Sequence, residues 1–125
     1  MIVDRLAKAL SGLLLVMGVL HFLVPKPFDA IVPEEIPGDP RTMTYASGVA
    51  EIAIGAALLP AKSRRTAAAL ATALFIAVFP ANVNTIRVFA DKGPLLKGIA
   101  WARLPLQIPL IVGGWYVWRK TPKAA

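Results

Sequence analysis

The chain has 125 residues, of which 57% are hydrophobic and 17% are charged, with a formal charge of +7. Soluble domains carry nearer a quarter of charged residues, so this composition excludes an ordinary soluble protein. Cysteine is absent, which excludes disulfides, iron–sulfur clusters and zinc–thiolate sites. The basic residues are scattered over the loops, without a basic helix or an aromatic platform. We therefore expect the lipid bilayer, and not nucleic acid, as the partner.

Four apolar stretches follow one another along the chain, at about 6–24, 43–59, 66–90 and 95–118. Each approaches the ~20 residues that a helix needs to cross a hydrocarbon core of about 30 Å. A helix satisfies its own backbone polar groups in hydrocarbon, so the stretches predict an all-α fold. We expect residues 1–125 to form a single integral membrane domain, a bundle of four transmembrane helices.

The connections between these stretches differ in composition. Residues 61–65 are short and basic, and residues 91–94 form another tight turn. The first connection, residues 25–40, contains five prolines and four acidic residues, and its prolines exclude a long regular helix. Several of its residues are too apolar for a free linker, so we expect this Pro-rich outer loop to fold over the mouth of the bundle. These residues are Phe28, Ile31, Val32 and Ile36.

The distribution of basic residues predicts the orientation. If both termini are cytoplasmic, the inner face collects eight Lys and Arg residues against about four on the outer face. The positive-inside rule then predicts a multi-pass protein with both termini on the cytoplasmic side (N-in/C-in). The inner set is Arg5, Lys8, Lys62, Arg64, Arg65, Arg119, Lys120 and Lys123.

A few polar residues lie within the apolar stretches, nearly all in their outer halves. Counting from the outer ends, Glu51 lies ~15 Å deep in the second stretch and Arg103 ~12 Å deep in the fourth. Ionisable groups at such depths are costly unless paired or hydrated, so this acid and this base predict a functional pocket. The predicted pocket residues are Glu51, Arg103, His21, Asn82, Asn84, Gln107, Arg87 and Tyr45.

Helical spacing assigns faces to these residues. A stripe in the second stretch combines small residues with the carboxylate, which lets another helix approach closely and shield the acid. In the third stretch Asn82 and Asn84 point about 200° apart, so both face the interior only if Pro80 distorts the helix. The stripe consists of Thr44, Gly48, Glu51 and Gly55.

The residues present argue against a redox centre within the chain. A single histidine cannot provide two axial haem ligands, and inside the bundle only Glu51 and His21 could bind a metal, so we expect no metal site. We expect no intrinsic cofactor and no redox enzyme activity of the chain itself. In a redox role, the electrons would belong to a partner or to a bound quinone or other lipophile.

Four short motifs occur in order, one in each stretch. They are Gly18-Val-Leu-His21-Phe22, then Tyr45-Ala-Ser-Gly-Val-Ala-Glu51 with Gly55, then Pro80-Ala-Asn82, and Arg103-Leu-Pro-Leu-Gln107. Together they resemble the DoxX and DoxX-like family of small four-helix bacterial membrane proteins. That family is named for a subunit associated with a terminal quinol oxidase and with thiosulfate:quinone oxidoreduction. The resemblance implies a protein of the bacterial plasma (inner) membrane and an accessory component of bacterial redox or envelope metabolism.

The leading hypothesis combines the pocket with the resemblance. The protein would bind a lipophilic small molecule, with a quinone as the specific candidate, above a charged floor of Glu51 and Arg103. A quinone carbonyl needs a hydrogen-bond donor, and the carboxylate could accept a quinol proton. Two alternatives stay open. One is a non-catalytic structural subunit or assembly factor of a larger membrane complex or homo-oligomer, and the other is a lipid-acting enzyme with Glu51 as catalytic residue and His21 beside it.

Overall fold

The computed structural model describes residues 2–122, which fold into six helices without a β-strand. The all-α prediction is therefore confirmed. The helices are α1 (Ile2–Leu23), α2 (Pro25–Ala30), α3 (Pro40–Ala57), α4 (Ala61–Ala77), α5 (Phe79–Phe89) and α6 (Pro94–Lys120).

Three helical stretches are long and apolar enough to cross a membrane. They are Ile2–Leu23, Ala61–Phe89 and Pro94–Lys120, the second of which joins α4 and α5. The remaining long helix, α3, has 18 residues that include Arg41 and Glu51, and it is not among the three. The composition of the three stretches is compatible with a membrane protein.

The tightest helix contact joins α1 and α3, which run antiparallel. A Cβ atom added to Gly48 would lie 2.9 Å from the Cβ atom of His21 and 3.1 Å from the carbonyl oxygen of Gly18. Further along, the Ser11 hydroxyl donates to the Gly55 carbonyl at 2.6 Å. All members of the predicted α3 stripe are buried, which confirms that the small residues admit a neighbouring helix and shield Glu51.

The end of the molecule that holds the chain termini has an apolar core. Small side chains on α4 allow α3 and α6 to approach it, since alanines occupy several of the buried positions. Arg64 closes this end by donating to the carbonyl oxygens of Leu58 and Leu59 and by pairing with Asp4 at 3.3 Å. The buried core residues are Ala7, Leu10, Leu14, Leu58, Ala67, Ala68, Ala71, Phe75 and Val117.

The third apolar stretch is broken at Val78, between α4 and α5. Pro80 has no amide hydrogen and its ring clashes with the preceding turn, so it cannot continue the α4 hydrogen-bond ladder. Both Asn82 and Asn84 lie within the regular helix α5 and both are buried, although they point to nearly opposite sides of it. The break precedes both residues and leaves the angle between them unchanged. Asn84 is therefore buried by its contact with Ile31 in the connection between α1 and α3, and not by the distortion at Pro80 that the sequence predicted. By contrast, α6 remains one helix through Pro105 and Pro109.

The contact between α1 and α3 can be tested with a matched pair of substitutions. Gly48→Leu places a side chain against helix backbone that cannot shift freely, and overpacking of this kind costs about 1–3 kcal/mol or more. Gly12→Leu is the control, because a Cβ atom at Gly12 meets nothing within 4 Å. We expect a lower Tm in detergent for Gly48→Leu and an unchanged or higher Tm for Gly12→Leu. Equal Tm values would contradict the close approach.

Candidate functional site

A cavity of about 580 Å³ lies beneath the segment that connects α1 to α3. We call that segment, residues 24–39, the lid. Side chains from the lid and from α1, α3, α4, α5 and α6 line the cavity, and most of them are apolar. A volume of this size suits one small organic molecule. The lid residues in the lining are Pro27, Phe28, Ile31, Val32, Pro33 and Ile36, so the predicted folding of this loop over the helices is confirmed.

Most of the polar residues predicted for a pocket meet in this cavity. The structure brings together five of them from four helices, although they are far apart in the sequence. Apart from Arg103, which is half-buried, these residues are more than nine-tenths buried. The five are His21, Glu51, Asn82, Arg103 and Gln107.

The other three predicted pocket residues lie outside the cavity lining. Tyr45 is on the exposed face of α3, where it stacks on Phe22 with ring centroids 5.0 Å apart. Asn84 and Arg87 face the lid instead, because Asn84 lies about 200° from Asn82 around α5 and Arg87 follows about one turn later on the same side. Their contacts are with the lid and not with the cavity.

On α5 and α6, a directional chain of hydrogen bonds forms one wall of the cavity, which we call the base wall. Arg103 Nη2 donates to Asn82 Oδ1 at 3.2 Å, the Asn82 amide donates to Gln107 Oε1, and the Gln107 amide donates to the Phe75 carbonyl. The Phe75 carbonyl can only accept, which fixes the orientation of both amides. The chain therefore presents one oxygen acceptor, Asn82 Oδ1, to Arg103, whose guanidinium has five N–H donors and needs more than one partner.

On α1 and α3, His21 and Glu51 form a second wall, which we call the acid wall. His21 Nδ1 lies 2.6 Å from the Met17 carbonyl, which can only accept, so Nδ1 carries the hydrogen and donates there. Glu51 Oε2 lies farther from Nδ1, at 3.5 Å, and has no hydrogen-bond partner within residues 2–122. A buried carboxylate oxygen without a donor is costly, so this group is free to accept a hydrogen bond from a guest.

Glu51 and Arg103 therefore share a cavity without pairing directly. Within the described part of the chain, no ion pair of 4 Å or less joins them, since Glu51 faces His21 and Arg103 faces Asn82. The acid wall offers an acceptor and the base wall offers donors. A guest between them could bind both, which a closed Glu51–Arg103 ion pair would prevent.

Two contacts hold the first half of the lid on the helices. Asp29 accepts hydrogen bonds from Thr44 Oγ1 at 2.5 Å and from Arg41 Nε at 2.8 Å, which tie the lid to the start of α3. The Phe28 ring stacks on His21 with centroids 3.8 Å apart. The lid thus reaches the acid wall directly, through the same histidine that lies beside Glu51.

The second half of the lid is held by α5. The Asn84 amide donates to the Ile31 carbonyl at 2.9 Å, and Arg87 Nε donates to Asn84 Oδ1 at 2.8 Å. Arg87 also pairs with Glu35 at 3.3 Å on the exposed side of the lid. The acidic partner of Arg87 is therefore a residue of the lid.

Sequence reasoning missed the residues that fasten the lid. The spacing of Asp29, Arg41 and Thr44 gave no signal, because their contact depends on how the proline-rich segment bends back over α3. The short helix α2 begins at Pro25 and contains Pro27, and it places Asp29 against α3. Only the apolar character of the loop was visible in the sequence.

Comparison with known proteins places the chain in one family. Residues 10–118 match a family described as a domain of unknown function, DUF8561. The match covers most of the chain, and the protein therefore belongs to this family. No curated protein and no solved structure matches the chain.

The tie between Asp29 and α3 makes closure of the lid pH-dependent. Burial acts to raise the pKa of Asp29, but the hydrogen bonds from Thr44 and Arg41 outweigh it and hold the pKa below its ordinary value. Because the pKa of Asp29 is lower in the folded protein, its contact with Thr44 and Arg41 stabilises the lid fully above the pKa of the unfolded chain, about 3.9. That stabilisation is lost as the pH falls through the pKa of Asp29 in the folded protein. We expect amide exchange in residues 25–36, corrected for its intrinsic rate, to accelerate as pH falls below about 4.

A substitution isolates the Asp29 contribution to that exchange. Asp29→Asn should show faster exchange of the lid already at pH 7 and a weaker acceleration on acidification. Asp91→Asn, which changes an exposed carboxylate in the turn before α6, should exchange like the wild type. If Asp29→Asn leaves lid exchange unchanged at pH 7, the tie does not hold the lid.

Proposed function

We propose that the protein crosses the bacterial inner membrane four times and binds a lipophilic small molecule, with a quinone as the specific candidate, in the cavity beneath the lid. It would act as an accessory component of redox or envelope metabolism. The single observation that supports this most strongly is Glu51 Oε2, which has no hydrogen-bond partner within residues 2–122 and lies in a largely apolar cavity. A pocket of this kind, mostly apolar with a few convergent polar groups, is typical of small-molecule sites.

The shape of α3 supports a fourth crossing. With 18 residues, the helix is ~27 Å long at ~1.5 Å per residue, close to the thickness of the hydrocarbon core. Its mean hydropathy is lowered by Thr44 and Glu51, which face α1 and the cavity and would not meet lipid. The outward face of its central part carries apolar residues, including Val49 and Ala53.

Charge and aromatic residues support the orientation with both termini in the cytoplasm. The terminus-bearing end combines basic residues with interfacial tryptophans, and Arg119 lies 6.0 Å from the ring centroids of Trp115 and Trp118. Tryptophan and arginine favour the headgroup region, and basic residues favour the cytoplasmic side. The lid, with its acidic residues, would then lie at the outer face.

The DoxX-like resemblance adds support for a ligand. Each of its motifs contributes to the cavity lining, through His21, Glu51, Asn82 and the pair Arg103 and Gln107. Residues that only maintained helix packing would not need to converge on one cavity. The relation to redox metabolism and the quinone as ligand rest on this resemblance together with the chemistry of the cavity.

One observation favours the alternative of a scaffold or assembly factor without a ligand. The hydrogen-bond chain from Arg103 to Phe75 would fix the register of α6 against α4 and α5 even in an empty protein. Polar contacts of this kind commonly hold membrane helices together. The scaffold hypothesis differs in one measurable respect. It predicts that no lipophile binds in the cavity, so that a substitution that fills the cavity removes no ligand binding.

The topology can be measured because the chain has no cysteine of its own. Lys62 and Lys92 are exposed residues at the two ends of the molecule, and each is replaced singly, as Lys62→Cys and Lys92→Cys. In intact cells, a membrane-impermeant maleimide should label the Lys92→Cys protein and should label the Lys62→Cys protein only after lysis. The reverse pattern would contradict the orientation, and labelling of both in intact cells would contradict an odd number of crossings between them.

Ligand binding can be tested with a cavity-filling substitution. Ala81 lines the cavity, whereas Ala73 is exposed on α4, so Ala81→Phe and Ala73→Phe form a matched pair. A ligand at 100 times its Kd stabilises a protein by about 2.7 kcal/mol. We expect a decyl-substituted benzoquinone to raise the Tm of the wild type and of Ala73→Phe, and to leave the Tm of Ala81→Phe unchanged.

Native mass spectrometry and lipid extraction of the purified protein complete that test. A small lipophile should be retained by the wild type and lost from Ala81→Phe. If no lipophile is retained and added quinone leaves the wild-type Tm unchanged, the ligand proposal fails and the scaffold function is favoured.

A further inference from the structure

The two walls of the cavity require different hydrogen-bonding groups on a bound molecule. This difference favours some lipophiles over others. On the acid wall, Glu51 Oε2 is enclosed and has no donor within residues 2–122, while the nearby His21 Nδ1 hydrogen is directed to the Met17 carbonyl. In its ionised form the Glu51 carboxylate can only accept hydrogen bonds. A guest that contacts ionised Glu51 must therefore bring its own O–H or N–H group.

The base wall requires a hydrogen-bond acceptor on the guest instead of a donor. Arg103 donates one hydrogen bond to Asn82 Oδ1. Arg103 lines the cavity and has further N–H groups that can donate to a guest. Because the Phe75 carbonyl fixes the direction of the Asn82–Gln107 chain, this wall cannot reverse to offer an acceptor in place of the guanidinium. A guest that contacts this wall must bring an oxygen acceptor.

The charges of Glu51 and Arg103 further limit which kinds of molecule can bind in the cavity. An isolated carboxylate in an apolar cavity would favour a lipophilic cation, and an isolated guanidinium would favour an anion. With Glu51 and Arg103 in one cavity, a guest with either charge would face repulsion from one wall. A neutral guest with a donor at one end and an acceptor at the other satisfies both walls.

We infer that the site selects a neutral hydroxylated ring of the quinol type, with one ring hydroxyl donating to Glu51 and an oxygen at the other end of the ring accepting from Arg103. This inference rests on the proposed function, because it assumes that a lipophile occupies the cavity. It goes further by predicting that the reduced, hydroxyl-bearing form binds more tightly than the oxidised form. A quinone would still accept from Arg103, but its second carbonyl oxygen would face the Glu51 carboxylate without a hydrogen between them.

The experiment compares three probes with one carbon skeleton: a decyl-substituted benzoquinone, its quinol, and the dimethyl ether of that quinol. Binding to the detergent-purified full chain is measured anaerobically, with reductant present for the quinol. The absence of cysteine removes thiol addition to the quinone as a complication. A hydrogen bond to a charged group corresponds to a preference of about ten- to hundredfold, so the quinol should bind at least about tenfold more tightly than either other probe.

Glu51→Gln provides the matched variant. Its amide keeps the shape of the side chain and offers both a donor and a neutral acceptor, so quinone affinity should rise and the quinol-to-quinone preference should fall toward one. The comparison of quinol with dimethyl ether in the wild type needs no substitution, and it stands even if Glu51→Gln does not fold.

The outcomes separate the two proposals. Tighter binding of quinol than of both other probes, lost in Glu51→Gln, supports the inference. Equal binding of the three probes, or tighter binding of the quinone, overturns the inference and leaves the proposed function intact if Ala81→Phe abolishes the binding. Failure of all three probes to bind the wild type overturns the proposed function and the inference together.

Discussion

The close contact of α1 with α3 is the constraint on which the site depends. Gly18 and Gly48 bring the two backbones so near that a single Cβ atom would clash. This approach buries Glu51 beside His21 and keeps the carboxylate on its own wall, away from Arg103. The acid and the base therefore remain separate, and the space between them is open to a guest. Wider helix spacing would allow Glu51 to move and to pair with another group.

The second determinant is the helix α5, which follows the break in the third apolar stretch. Asn82 and Asn84 point to nearly opposite sides of α5, so one of them would meet lipid if nothing covered it. Asn82 joins the base wall, while Asn84 binds the lid, which covers the other side of the helix. The lid thus allows two neighbouring amides to serve the cavity and its cover. The irregular backbone at the break is tolerated in membrane proteins where it faces protein or a polar cavity.

The sequence predicted the parts of this arrangement that follow from periodicity and composition. The buried stripe of α3, the distortion at Pro80 and the apolar underside of the lid follow from spacing and hydropathy, which are local properties. The partners of polar groups depend on how distant segments meet, and these were not visible. Glu51 faces His21 and not Arg103, and Arg87 pairs with Glu35. The tie from Asp29 to Arg41 and Thr44 likewise depends on the path of the lid.

The most direct test of the account is an experimental structure of the protein purified in native lipid, at a resolution that shows small molecules. The account predicts non-protein density in the cavity, with a polar atom within hydrogen-bond distance of the Glu51 carboxylate and a second one near Arg103. A structure in which Glu51 and Arg103 pair directly, with the walls closed and no density between them, would contradict it.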